Sequence, residues 1–159
     1  MEIHTMPGHL IRRLNQISVA CFMERMSRAG LSLTPVQYAA LCAIRDFPGI
    51  DQATVAGLVA YDRATLGRVI DRLEERELIQ REVSPNDRRA RVLHLSEAGA
   101  DLLRAACPHV KDVQPEILAG LSAEESATFL ELLQKATLAG NDMSRAPQRM
   151  PVQGQISEG

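Results

Sequence analysis

The stretch Asp62-Arg63-Ala64-Thr65-Leu66-Gly67-Arg68-Val69-Ile70-Asp71-Arg72-Leu73-Glu74 decides the reading of this chain. Leu66, Val69, Ile70 and Leu73 recur at i, i+3, i+4 and i+7, so one face of a helix is core, and Asp62 carries an N-capping side chain. The opposite face shows Ala64, Thr65, Gly67, Arg68, Asp71 and Arg72. Just upstream, Asp51 can cap a short helix over Gln52 to Val59 that buries Val55, Leu58 and Val59. Two short helices in tight succession, the second with a buried face and an exposed Thr/Arg face, make a helix-turn-helix candidate.

Downstream the hydrophobic period changes. Leu78-Ile79-Gln80-Arg81-Glu82-Val83 and Arg91-Val92-Leu93-His94-Leu95 read as two strands around Ser84-Pro85-Asn86-Asp87-Arg88-Arg89-Ala90, a turn-rich tip. A hairpin carrying Arg88, Arg89 and Arg91 directly after the second helix makes a winged helix-turn-helix. Such a module is expected to send the helix into the major groove and the wing toward the adjacent minor groove.

Outward from this lobe, Thr34-Pro35-Val36-Gln37 supplies an N-cap, a proline at the first helical position and a Gln at N3, so a helix is expected from Pro35 to about Asp46. Residues His9 to Ala29 place Leu10, Leu14, Ile17, Cys21 and Phe22 on one stripe, closed by Gly30. Ser96 caps a further helix, in which Pro108 and Pro115 imply a kink or break before Leu121. Ser122-Ala123-Glu124-Glu125 opens a last amphipathic helix with Phe129, Leu130, Leu132 and Leu133.

The 159 residues, 45% hydrophobic and 24% charged, fit one globular domain. The sequence lacks the ~18 uninterrupted apolar residues that span a bilayer, and Met1-Glu2-Ile3-His4 lacks the pattern of a signal peptide, so a cytoplasmic protein without a membrane role is expected. Cys21, Cys42 and Cys107 are in no CxxC pattern, and His4, His9, His94 and His109 form no ligand cluster; neither a metal nor another cofactor is encoded. No phosphate loop, GxSxG or HExxH is present, which argues against an enzyme. With a net charge of −2, nucleic-acid binding must rest on local charge, and with no Trp and three Phe, stacking on single strands is disfavoured.

The segment Asp62 to Glu74, then Arg81, then Asp87-Arg88-Arg89-Ala90-Arg91-Val92-Leu93-His94-Leu95-Ser96-Glu97-Ala98-Gly99 resembles the MarR family of bacterial regulators in helix, wing, Asp-x-Arg element and Ser-x-x-Gly exit, in that order. One departure is Glu77, where the family often has Gly. The resemblance implies a mainly α (α+β) fold, a winged helix-turn-helix lobe with a two-stranded wing plus a helical dimerisation region. Residues 1–8 are expected to be a flexible N-terminus and 9–139 a single domain: 34–96 the winged lobe, 9–33 and 97–139 dimerisation helices. Residues 140–159 read as a disordered tail.

The resemblance also implies that Arg89, held by Asp87, enters the minor groove while Arg88 and Arg91 meet phosphate or flank the groove, as a guanidinium in a narrow minor groove can. Thr65 and Arg68 face base edges, Ala64 and Gly67 leave room for that approach, and Arg63 and Arg72 meet phosphate. Against a merely solvated face, Arg68 with Arg72 and Asp71 with Glu75 are like-charged i,i+4 pairs that do nothing for an isolated helix.

The partners implied are a pseudo-palindromic double-stranded operator, a second copy of the chain as homodimer, and a small effector, an aromatic carboxylate or phenol, that releases a repressor. For that effector, His9 or Arg13 could hold a carboxylate, with Phe22, Met23, Tyr38 and Leu41 as apolar wall; alternatively Arg12 and Arg13 are only the wet side of a helix. Two other functions remain open: redox sensing through Cys21, which its place on the apolar stripe disfavours, and nonspecific architectural DNA binding.

Overall fold

The computed structural model describes residues 2–84 and 90–150. It is mostly helical with a small antiparallel sheet. In chain order the elements are α1 (Pro7–Arg28), α2 (Pro35–Asp46), β1 (Ile50–Asp51), α3 (Gln52–Leu58), α4 (Arg63–Glu75), β2 (Ile79–Val83), β3 (Arg91–Leu95), α5 (Glu97–Ile117) and α6 (Ala123–Ala139).

The caps fall where the side chains dictate. Thr34 Oγ1 accepts from the Gln37 amide while the Gln37 side chain accepts from the Thr34 amide, a reciprocal capping box. Asp51 accepts from the amides of Ala53 and Thr54, Asp62 from that of Thr65, and Ser122 with Glu125 repeats the capping box at α6. Gly30, with φ +70°, follows α1.

The core lies where α1 and α5 meet the winged lobe. Phe22 and Met26 of α1, Leu41 and Ile44 of α2, and Leu66 and Ile70 of α4 are buried together. Leu73 of α4 is fully buried too, as the i, i+3, i+4, i+7 pattern requires, with Val69 partly covered at its edge.

Four features differ from the sequence reading. The sheet has three strands in the order β1-β3-β2: Ile50 pairs with Leu93 and Asp51 with Val92, a strand too short to show any period. α5 runs unbroken through Pro108 and Pro115, and the chain turns only over 118–121; each proline costs one i→i−4 bond, which a 21-residue helix packed along α1 absorbs. The N-terminus is not without structure, since Glu2–Thr5 form a 3-10 turn and α1 begins at Pro7. Residues 141–150 are ordered as well, with a 3-10 turn at Asn141–Met143 and hydrogen bonds back to α3. The rest of the expected tail, 151–159, lies outside the described residues.

α6 and the first half of α1 stand apart from this core. No residue of α6 is buried, and Leu130, Leu132 and Leu138 are exposed, as are Leu10, Ile11 and Ile17 of α1. Among the described residues no helix is long and apolar enough to cross a membrane.

Candidate nucleic-acid interface and effector site

α4 is anchored by Leu66, Ile70 and Leu73, which turns Ala64, Arg68, Asp71 and Arg72 outward, all exposed, with Arg63 exposed in the first turn. Thr65 and Gly67 are half-buried on opposite flanks. Gly67 answers to a neighbour in its own chain: an added Cβ would lie 3.2 Å from Gln52 Nε2, so the missing side chain makes room for α3. Thr65 is tied to the cap. Its hydroxyl, and then its amide, hold the Asp62 carboxyl below its ordinary value, with Arg145 and Arg68 adding smaller Coulombic contributions.

The acids of α4 are largely spoken for. Arg81 of β2 donates to Asp71 at 2.5 Å and to Glu74 at 2.7 Å, fastening the wing's first strand to the helix. Arg63, Arg68 and Arg72 have no ion pair among the described residues, so the outward face keeps its positive charge. Sequence reasoning included Arg81 in the motif but gave it no role; only the fold shows that ten residues of separation close into a contact.

The wing leaves and returns by defined geometry. β2 and β3 pair from Ile79 with Leu95 to Val83 with Arg91, and the Ser84 amide donates to the Ala90 carbonyl at 2.9 Å. Arg91 is exposed at the end of this ladder. Asp87, Arg88 and Arg89 lie outside the described residues.

At the take-off of β2, Glu77 has φ +58°, a left-handed conformation that suits glycine. Its carbonyl accepts from Ser96 Oγ at 2.7 Å, and the same Oγ accepts from the Gly99 amide to cap α5. Gly99 packs so closely on the chain that an added Cβ would sit 2.0 Å from the Leu78 carbonyl oxygen. The Ser-x-x-Gly spacing thus clamps the exit of α4 to the entry of α5.

The proposed effector residues fall into two groups. Phe22 is buried edge-on against Tyr38, with ring centroids 6.1 Å apart. His9 lies edge-on to His4 at 5.5 Å near the other end of α1, and Arg13 is exposed. The nine-residue step along α1 from Arg13 to Phe22 rises ~14 Å, so one chain does not bring these groups together. The apolar wall also thins, because Leu41 is fully buried in the core and Met23 is exposed.

Tyr38 lies beside two thiols instead. Burial, then its interactions with Cys42 and Cys107, push its phenol above the ordinary value, and burial pushes the Cys42 thiol up against the opposing effects of Tyr38 and Arg45. Cys21 is a half-buried free thiol on α1. Two of the clefts that border the winged lobe carry cationic side chains. One of about 580 Å³ lies between α1, α2 and α4 and is lined by Met26, Leu33, Thr34, Gln37, Arg72 and Arg76. The other, about 510 Å³, carries Arg45, Arg104 and Lys111 around Leu103 and Cys107.

Residues 33–90 match the model of the MarR family. The chain is 36% identical over 128 residues to the HTH-type transcriptional repressor NicR of Pseudomonas putida, covering 80% of each protein. Among solved structures it is similar to the Streptomyces coelicolor regulator PcaV in complex with its natural ligand (34% identity, TM-score 0.78, 88% of this chain and 97% of that one). It is also similar to Bordetella bronchiseptica BpsR, whose DNA binding is regulated by 6-hydroxynicotinic acid (32%, 0.77, 84% and 94%). A third similar structure is a mutant of Escherichia coli MarR complexed with operator DNA (30%, 0.77, 86% and 97%). The extent of these matches and the winged helix-turn-helix geometry make the chain a member of the MarR family of transcriptional regulators.

Proposed function

We propose that the chain is a homodimeric repressor that reads a pseudo-palindromic double-stranded operator and is released by a small aromatic carboxylate or phenol. The observation that carries the DNA reading is the outward face of α4. Its arginines Arg63, Arg68 and Arg72 have no ion pair among the described residues, while its acids Asp71 and Glu74 are engaged by Arg81. On this reading Arg68 and Thr65 meet base edges and Ala64 permits close approach. Arg63, Arg72, Arg88 and Arg91 meet phosphate, and Arg89, held by Asp87, enters the minor groove. Gly67 contributes by seating α3 against α4.

The exposed apolar residues of α6 and of the first half of α1 supply the dimer surface, because a solvated monomer has no other use for Leu10, Ile17, Leu130 and Leu132. Dimerisation also supplies what one chain lacks at the effector site. His9 and Arg13 of one copy meet Phe22 and Tyr38 only if the helices of two copies interleave. The 6-hydroxynicotinic acid control of BpsR, a protein similar over 84% of this chain, supports an aromatic acid as effector. An effector acts only by binding the two spacings of the paired recognition helices unequally.

The test is to titrate the preformed protein–DNA complex with aromatic acids and to repeat it with Arg13→Ala. Release by one acid at a concentration that leaves the variant bound supports the site; equal release of both, or release by none, refutes the effector assignment.

A further inference from the structure

The segment after α6 does more than end the chain. The Asn141 side chain brackets a loop, donating to the Gln148 carbonyl at 3.1 Å and accepting from the Gln148 amide at 2.8 Å. The Arg149 amide then donates to the Gly57 carbonyl at 2.9 Å, and Gln148 Nε2 to the Leu58 carbonyl at 3.2 Å. Both acceptors lie in the last turn of α3, where helix carbonyls lack i+4 amide partners, although the Gly57 carbonyl also accepts from the Ala60 amide at 3.3 Å. Gly57 eases the approach, because an added Cβ would stand 3.3 Å from Arg149 Cβ, tighter than ordinary contact by a few tenths of an ångström.

This docking sets two arginines beside the helix-turn-helix. Arg145 and Arg149 are exposed and have no ion pair among the described residues. Arg145 also lies near enough to Asp62, the N-cap of α4, to act on its carboxyl. The first helix of such a unit crosses the DNA backbone and the N-terminus of the second enters the groove, so a group held at the junction of the two borders phosphate. In a chain of net charge −2, added cations at this edge strengthen the local attraction on which duplex binding depends.

We propose that residues 141–149 form a docked arm that carries Arg145 and Arg149 to the phosphate backbone of the duplex read by α4. The proposal rests on the DNA-binding reading above. The arm contributes affinity without sequence preference, since phosphate contacts carry no base information.

The test compares wild type, Arg145→Ala/Arg149→Ala and Arg145→Lys/Arg149→Lys in anisotropy titrations on the native upstream duplex across a salt series. The alanine variant is expected to bind several-fold more weakly, with a salt slope smaller by roughly 0.9 for each phosphate no longer neutralised, about 1.8 per chain. The lysine variant retains most of the slope. Gly57→Leu, which displaces the arm but keeps both arginines, loses affinity like the alanine variant. An alanine variant with unchanged affinity and slope overturns the proposal, and so does one that binds more tightly, which would make the arm a competitor of DNA. If the wild type binds no duplex, the DNA-binding reading fails as well, so the two failures are distinguishable.

Discussion

Arg81 Nη2 donates to Asp71 Oδ1 at 2.5 Å, joining the first strand of the wing to the outward face of α4. The same guanidinium holds Glu74, so one half-buried side chain fixes the angle between α4 and the wing and pairs two of the negative charges on their surface. Arg81→Ala is expected to cost about 1 kcal/mol of stability, the scale of a partly exposed ion pair. It should also weaken operator binding, by freeing Asp71 to repel phosphate. Urea denaturation and anisotropy on the same preparation separate the effects. If affinity survives intact, the clamp has no part in DNA recognition.

Glu77 occupies a left-handed conformation that costs an L-residue roughly 1 kcal/mol. Glu77→Gly should therefore raise the urea midpoint slightly, by at most about 0.5 kcal/mol once the extra freedom of the unfolded glycine is counted. A lower midpoint would mean that the Glu77 side chain contributes more than its backbone costs.

Gly99→Ala is expected to be severe. The new methyl would overlap the Leu78 carbonyl oxygen, which itself accepts from the Ser96 amide, and that carbonyl belongs to backbone that cannot rotate away. Overpacking of this kind costs about 1–3 kcal/mol or more, and the loss should appear as a fall in thermal midpoint. A variant as stable as wild type would contradict the close approach of α5 to the wing.

Burial raises the Tyr38 phenol and the Cys42 thiol above their ordinary values, 10.0 and 9.0. In the unfolded chain both groups lose their protons as pH rises through that range, while the folded chain keeps them. Folding stability is thus retained below pH 9 and falls as pH climbs above it. Denaturation midpoints measured at pH 8 and pH 10 should differ less in Tyr38→Phe than in wild type. An equal drop in both would show that Tyr38 is not part of the linkage.

The elements that were legible in the sequence are those specified locally. Thr34 with Gln37, Asp51, Asp62, Ser96 and Ser122 each act within three residues of themselves, and the α4 pattern names its own buried face. What escaped depends on long-range partners. β1 is two residues held only by pairing with β3, and the prolines of α5 are tolerated because packing along α1 offsets their lost bonds. Gly67 reads as space for DNA until Gln52 is found against it. The effector residues are gathered in the sequence only by their chemistry, whereas the helix sets Arg13 and Phe22 ~14 Å apart and on opposite faces of α1.

The most direct test of the account is an anisotropy titration of the purified protein on its own upstream DNA and on a scrambled duplex, at one fixed salt concentration. A sequence-specific regulator should prefer the native duplex by at least about 10³-fold, and Arg68→Ala should narrow that preference while Arg72→Ala weakens both duplexes alike. Equal affinity of the wild type for the two duplexes would contradict sequence-specific recognition by α4.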